Sequence, residues 1–248
     1  MPAQPVVDIH SHKRPMEYEE LRDVISLALW AGQMLLQNGA DTARVEETVH
    51  RLGTGLGCDW MDVAVFHDAI IASTINNFEF RTKVRRAPGR SVNLELIAQV
   101  SDLSYAVSAG QMDRFALRAA LRRVDQMPPN YSRLTVTLGV ALACAAFSRL
   151  FGGDWLVFLF VFAAAALAMG LRQLLHQRYV NLHLITFVTA LVAALVASLS
   201  RFVVARPAMD IAIAAAVLLL VPGVQLINSA EDLIRGHITT GIARGVLG

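Results

Sequence analysis

Residues 211–228 read Ile211-Ala-Ile-Ala-Ala-Ala-Val-Leu-Leu-Leu-Val-Pro-Gly-Val-Gln-Leu-Ile-Asn228, an apolar run broken by a Pro-Gly pair. Pro222 removes a backbone N–H donor and clashes with the preceding helical turn, and Gly223 adds conformational freedom at the same point. Because lipid cannot hydrogen-bond the freed backbone groups, such a break is tolerated where neighbouring helices or a polar cavity satisfy them. Transporters place broken helices at their substrate sites. The run therefore indicates a membrane-spanning segment and favours a transport function.

The composition separates a soluble part of the chain from a membrane part. Of the 248 residues, 55% are hydrophobic and 17% are charged, which is too apolar for an ordinary soluble domain. Residues 1–133 hold 15 of the 22 lysines and arginines and 16 of the 20 acidic residues. We predict the boundary near Met127-Pro-Pro-Asn130, because a Pro-Pro pair resists helix continuation and suits a linker.

Four apolar segments have the length and composition of membrane spans. They are Leu134–Leu150, Trp155–Leu171, Asn181–Val203 and Asp210–Asn228. With the N-terminus inside, nine arginines flank the inner ends of these spans and three flank the outer ends, which predicts a cytoplasmic N-terminus. The many alanines and glycines favour close helix packing in the lipid bilayer, and therefore a homo- or hetero-oligomer.

The predicted fold class is an α-helical polytopic membrane protein of four spans with an N-terminal cytoplasmic α+β domain. We expect a disordered tail at 1–16, the α+β domain at 17–127, the transmembrane domain at 128–228, and an interfacial segment or the start of a fifth span at 229–248. In the α+β domain, periodicity predicts helices at Glu17–Asn38, Ala43–Leu52, Val92–Ser108 and Asp113–Val124. It predicts strands at Met61–Phe66, Ala69–Ile75 and Phe78–Val84.

Several classes of protein are not indicated. No basic stripe with interleaved aromatic residues is present, so nucleic acid is not predicted as a partner. The N-terminus lacks the charged start and apolar core of a signal peptide. No nucleophile elbow, zinc-ligand spacing or facing pair of carboxylates is visible, so we predict no enzyme activity, no cofactor and no metal site.

Candidate substrate-binding residues lie around the break and at the inner end of the second span. The break at Pro222-Gly223 leaves a second half-helix whose N-terminus presents unpaired N–H groups and a positive dipole end to a carboxylate. Gln225 and Asn228 would add neutral donors. Arg172 and Arg178 would raise the local concentration of an anionic cargo. Positive-inside anchoring explains these two arginines equally well.

Candidate coupling or gating residues are polar groups beside the predicted spans. His176, Glu231 and Asp232 are titratable or charged side chains at the cytoplasmic ends of spans, where polar groups usually face a cavity or a partner.

Asp41, Arg44 and Glu47 form a second candidate group, at the start of one predicted helix. From the residues alone, a helix cap with a surface ion pair explains this group better than a gating role.

Three stretches carry a family resemblance. They are Leu35-Leu-Gln-Asn-Gly-Ala-Asp-Thr-Ala-Arg-Val-Glu-Glu47, Arg172-Gln-Leu-Leu-His-Gln-Arg178, and Leu220-Val-Pro-Gly-Val-Gln-Leu-Ile-Asn228 followed by Gly236-His-Ile-Thr-Thr-Gly-Ile-Ala-Arg244. With the order of soluble domain and spans, they resemble the threonine/serine exporter family of bacterial inner-membrane proteins over nearly the whole chain. More closely, the chain resembles the larger, YjjP-type subunit of the family's split form.

The resemblance implies secondary export of small carboxylate metabolites from the cytoplasm, driven by the proton gradient. Threonine and serine are the implied cargo of the fused members, and succinate or another dicarboxylate is implied for the split pair. A small YjjB-type membrane subunit is the implied partner of this chain.

Two features depart from the family pattern. The family usually has a second proline two residues after Pro-Gly, where this chain has Gln225. The larger subunit usually continues into a fifth span, which we expect to be absent or incomplete here.

A non-transport alternative is a membrane-anchored cytoplasmic sensor or regulatory domain. Four spans with an internal break are more than an anchor needs.

Overall fold

The computed structural model describes residues 13–76, 79–88, 91–128, 131–178, 181–202, 206–218 and 223–247. Contacts between residues divide the chain into two compact units. The first, here called the mixed unit, comprises Met1–Met127 together with Val224–Gly248. The second, here called the apolar unit, comprises Pro128–Gly223. The apolar unit is therefore an insertion in the sequence of the mixed unit.

The mixed unit combines six helices with a small sheet among its described residues. Its helices are α1 (Tyr18–Gln37), α2 (Thr42–Gly55), α3 (Leu94–Ser108), α4 (Arg114–Asp125), α9 (Gly223–Ile234, of which Gly223 is counted with the apolar unit) and α10 (Ile238–Leu247). Its strands are β1 (Trp60–Val65), β2 (Ala69–Asn76) and β3 (Glu79–Arg86). The order of elements predicted for residues 17–127 is confirmed, with ends that differ by a few residues.

The sheet is antiparallel in the order β1-β2-β3, with Val63 opposite Ala72 and Ala72 opposite Lys83. Helix α1 packs on β2 and β3, and α2 packs on β1. Helices and sheet approach closely at Gly32, where a Cβ atom would lie 2.5 Å from Val49 Cγ2 and 3.1 Å from Ile70 Cδ1. A side chain at this position would push α1 away from α2.

A glycine and a helix cap form the turn between α1 and α2. Gly39 ends α1 with a φ of +91°, a backbone conformation that favours glycine. Asp41 caps α2 by accepting a hydrogen bond from the N–H of Arg44 at 2.9 Å. Helix α2 continues past the predicted end at Leu52 to Gly55, and Gly53 lies inside the helix in close contact with the side chain of Met61.

The apolar unit contains four α-helices among its described residues, α5 (Arg133–Leu150), α6 (Trp155–His176), α7 (Leu182–Ser198, continued by a 3-10 turn at Leu199–Phe202) and α8 (Arg206–Leu218). Among the described residues, three helices are long and apolar enough to cross a membrane, and α8 with α9 would make a fourth. The helices meet through small side chains such as Ala145, Ala165 and Ala215, which let backbones approach closely. Three to four candidate spans thus support the predicted membrane class.

The predicted fourth span, Asp210–Asn228, coincides with two helices rather than one. Helix α8 ends at Leu218 and α9 begins at Gly223, and the intervening residues 219–222, which include Pro222, lie outside the described residues. From Val224 onward the chain packs in the mixed unit, so the contact boundary precedes the expected boundary at 228. The physical reason for this earlier boundary is that α9 has a polar face.

Candidate functional site: a charged cleft lined by α2, α3 and α9

Helices α9 and α10 form a tight hairpin at the end of the described chain. Gly236, with a φ of +90°, makes the turn between them. The helices cross at Gly241, where a Cβ atom would lie 2.9 Å from Leu233 Cγ and 3.0 Å from the carbonyl oxygen of Ser229. The hydroxyl of Ser229 donates to the carbonyl of Gly241 at 2.7 Å. A glycine is therefore required at 241 for this crossing.

A buried ion pair fixes the hairpin to the turn between α1 and α2. Arg244 Nε lies 3.3 Å from Asp232 Oδ2, and these side chains are 4% and 0% exposed. The backbone N–H of Thr42 donates to Asp232 Oδ1 at 3.1 Å, and Arg244 Nη1 donates to the carbonyl of Ala40 at 2.9 Å. Both charges therefore have a partner and a backbone hydrogen bond, as buried ions require.

Two further polar contacts hold the hairpin. The side-chain amide of Asn228 donates to the carbonyl of Gly39 at 2.7 Å. The hydroxyl of Thr240 donates to the carbonyl of Val65 at 3.0 Å. We call Asn228, Asp232 and Arg244, together with the loop 39–42 that they hold, the clasp. It explains why residues after Gly223 pack in the mixed unit: the polar face of α9 satisfies backbone groups of this loop.

Beside the clasp lies a cleft of about 300 Å³. Its walls come from α2 and α3 on one side and from α9 on the other. Its lining contains three arginines, three carboxylates and three polar side chains: Arg44, Arg51 and Arg235; Asp41, Glu47 and Glu231; Thr48, Ser101 and Tyr105. Its formal charge is therefore zero.

Each carboxylate of the cleft contacts an arginine of its own helix or helix cap. Arg44 Nε lies 3.4 Å from Asp41 Oδ2, and Arg235 Nη2 lies 2.6 Å from Glu231 Oε1. Glu47 and Arg51 form a third pair. One ion pair crosses the cleft from α9 to the cap of α2, with 3.8 Å between Arg235 Nη1 and Asp41 Oδ1. The two walls are therefore joined through Asp41.

Arg51 is the most restrained of the three arginines. Its guanidinium lies 3.9 Å from the centroid of the Tyr105 ring and donates to the hydroxyl of Ser104 at 2.9 Å. The cation over the ring face and the hydrogen bond fix the plane of the guanidinium. Arg44 and Arg235 are about half exposed, at 53% and 50%.

A titratable pair lies at the other side of the hairpin. Burial raises the pKa of the Glu46 carboxyl above its ordinary value, and His237 opposes this shift. His237 Nδ1 lies 3.7 Å from Glu46 Oε1. This pair joins α2 to the start of α10.

The structure brings several of the sequence-predicted residues together. Asp41, Arg44, Glu47 and Glu231, which come from two distant segments, line one cleft. Asp232 lies beside them in the clasp.

The residues predicted around the break are placed along α9. Gly223 begins the helix, Gln225 is half-buried on its first turn, and Asn228 is part of the clasp. Pro222 lies outside the described residues.

The remaining predicted residues belong to the apolar unit. Arg172 is the charged residue in the lining of a cavity of about 100 Å³, which also contains Cys144 and Met169. His176 and Arg178 are exposed at the end of α6.

The candidate site residues predicted from the sequence did not include four residues of the cleft and the clasp: Arg51, Tyr105, Arg235 and Arg244. For two of them a signal existed, because Arg51 and Arg235 each follow a predicted carboxylate, Glu47 or Glu231, by four residues, the spacing of a helical ion pair.

Comparisons with known proteins give a consistent result. The family model ThrE, for threonine/serine exporters, matches residues 26–248. The chain is 36% identical over 234 residues to the "Probable succinate transporter subunit YjjP" of Escherichia coli K12, which covers 92% of this chain and 89% of that protein. It is 36% identical to the protein of the same name from Klebsiella aerogenes, over 91% and 87%.

A longer relative is the "Threonine/serine exporter" of Corynebacterium glutamicum, which is 23% identical over 92% of this chain and 48% of that protein. No solved structure matches the chain.

Proposed function

This chain belongs to the threonine/serine exporter (ThrE) family, and from that membership we propose that it is an inner-membrane subunit that exports small carboxylate metabolites. The proposed cargo is succinate or another dicarboxylate, as in the names of the two relatives that match along most of their length, with threonine and serine as the second class. The single observation that supports export is the apolar unit, whose three long apolar helices join through small residues.

The proposal includes a second membrane subunit. The word "subunit" in the names of the relatives supports a partner, and so does the longer exporter, of which this chain matches 48%. We assign this role to a small YjjB-type protein. The excess of arginines at the predicted inner ends of the spans supports a cytoplasmic mixed unit and N-terminus.

The proposed cargo site is the start of α9. The first N–H groups of a helix have no partner within the helix, and they carry the positive end of its dipole. A cargo carboxylate would bind these groups beside Gly223, with the amide of Gln225 as a further donor. Asn228 would hold the helix in place through its hydrogen bond to Gly39.

Charged groups would assist the transport cycle. Arg172 and Arg178 would concentrate anionic cargo, and His176, Glu231 and Asp232 are the candidate groups for proton coupling.

Counterflow in liposomes tests the proposal. Purified chain would be reconstituted with and without the small partner subunit, and uptake of labelled succinate and threonine would be measured against an internal excess of each. Export predicts counterflow that needs both subunits. A double variant, Pro222→Ala with Gly223→Ala, should lose most of this flux. Unchanged flux in the double variant would remove the start of α9 as the cargo site.

A further inference from the structure

We propose that the cleft lined by α2, α3 and α9 is a binding site for a small zwitterion of the α-amino-acid class, separate from the cargo site at the start of α9. Three guanidinium groups and three carboxylates line it, so its formal charge is zero. A zwitterion adds no net charge to such a site. A dicarboxylate would leave the occupied cleft with a net charge of minus two and without a partner for its second carboxylate among cations that already contact carboxylates.

The contacts within the cleft leave room for such a ligand. A guanidinium has five N–H donors in a planar fork, and the contacts of Arg44 and Arg235 with their carboxylates use part of this capacity. Both groups are about half exposed, so a ligand carboxylate reaches them without breaking an existing ion pair. The carboxylates of Glu47 and Glu231 accept several hydrogen bonds each, and either is suited to a ligand ammonium group.

The cleft also has the size and rigidity of a small-molecule site. Its volume of about 300 Å³ lies at the lower end of the range for ligand pockets. The stack of Arg51 on Tyr105 gives one wall a fixed shape, and the buried side chain of Thr48 contributes to the lining. A small ligand with two opposite charges matches this combination better than a long or apolar one.

Occupancy of the cleft would act on α9. One wall belongs to α2 and α3 and the other to α9. Beside the clasp, the 3.8 Å contact of Arg235 with Asp41 links α9 to the cap of α2 across the cleft. A ligand held by both walls stabilises the state in which α9 is docked. Because α9 begins at the glycine of the Pro-Gly pair, an amino acid in the cleft would regulate the segment that the proposed export uses.

Calorimetric titration of the full-length protein in detergent tests the proposal with three probes. L-threonine carries both charges, 1-amino-2-propanol is its amine without the carboxylate, and succinate is the dianion. At the cleft we expect threonine to bind about tenfold or more tightly than either of the other two, because each of them loses one charged hydrogen-bonding end. Absence of threonine binding, or succinate binding that Arg235→Gln weakens as much as it weakens threonine binding, would overturn the proposal.

Variants locate the binding. Arg235→Gln and Glu231→Gln should each weaken threonine binding about tenfold, since each removes one charged contact. Arg22→Gln is the matched control, because Arg22 forms an exposed helical ion pair with Glu19 outside the cleft, and it should bind threonine like the original chain. If Arg235→Gln fails to fold, Arg44→Gln on the opposite wall tests whether a guanidinium of the cleft binds the ligand carboxylate.

An unchanged affinity in the cleft variants would place threonine elsewhere and overturn the proposal. The result is independent of transport: counterflow that fails with intact threonine binding counts against export alone. Lost threonine binding in Arg235→Gln with intact basal counterflow supports a regulatory cleft.

Discussion

The cores of the two units of this chain are built from side chains of different size. The core of the mixed unit consists largely of leucine, isoleucine and valine, such as Leu21, Ile25 and Leu29. The core of the apolar unit consists mostly of alanine, whereas leucine and phenylalanine lie on its outside, for example Leu191 and Phe187.

The difference reflects the two solvents. In water, burying large apolar side chains drives folding. In lipid, where the surroundings are as apolar as leucine, close contact between backbones becomes more important. The same substitution should therefore change the free energy of unfolding by different amounts in the two units. Charged pairs should contribute most to this free energy where they are buried in the mixed unit.

The largest effect is expected at the clasp. Arg244→Ala leaves the Asp232 carboxylate buried without its partner, which typically costs about 3–5 kcal/mol of stability. Denaturant unfolding followed by tryptophan fluorescence measures it, because Trp30 and Trp60 lie in the mixed unit and a Trp155→Phe background removes the signal of the apolar unit. The matched control is Arg22→Ala, an exposed pair worth about 0–1 kcal/mol. Equal costs for the two variants would contradict the buried clasp.

A leucine pair tests the contrast between the cores directly. Leu29→Ala opens a cavity in the fully buried core of the mixed unit and should cost about 2–5 kcal/mol. Leu191→Ala, on the half-exposed outer face of α7, should change stability by less than about 0.5 kcal/mol. Thermal unfolding in detergent compares them. A cost at Leu191 as large as that at Leu29 would show that this face of α7 is covered by another helix or subunit.

Replacing a small buried residue with a large one should destabilise the apolar unit. Ala165→Leu places a large side chain at the buried contact between helices and should cost about 1–3 kcal/mol through overpacking. Ala166→Leu, the next residue on α6 and only partly buried, is the control and should be milder. The measurement is the yield of monodisperse protein after heating. A harmless Ala165→Leu would contradict alanine-mediated packing.

The smallest effect is a pH dependence at Glu46. Because burial raises its pKa above 4.5, the folded state binds this proton more tightly than the unfolded state. Stability from this group is complete below pH 4.5 and is lost as the pH rises through the raised folded value. Glu46→Gln should therefore match the original chain at pH 4 and exceed its melting temperature at pH 8. A gap that shrinks as the pH rises would show that the contact with His237 outweighs burial.

The features that were predicted correctly from the sequence are those that depend on residues close together along the chain. Helical periodicity located α1, the residue types at the start of α2 indicated a cap at Asp41, and apolar length located α5 and α6. These are local signals of propensity, capping and hydropathy.

The clasp and the cleft depend on contacts across the whole chain. Asp232 meets Thr42, 190 positions away, and no local pattern identifies such a partner. The candidate groups Asp41–Glu47 and Glu231–Asp232 were recognised separately, but their meeting was not. The apolar run also concealed the polar face of α9, because Asn228, Ser229 and Asp232 follow the run instead of interrupting it.

The clasp also determines the order in which the two units of this protein complete their folding during synthesis. Asp232 and Arg244 leave the ribosome after α5 to α8 have been synthesised, whereas the loop that they hold emerges near the beginning. Domains usually fold as their sequence emerges, with the N-terminal one first. Here the first unit to emerge is completed only after the apolar helices, because it waits for α9 and α10 while α5 to α8 are already available for insertion. A chain that lacks α10 would keep every apolar segment of residues 128–218 and still lack a finished mixed unit.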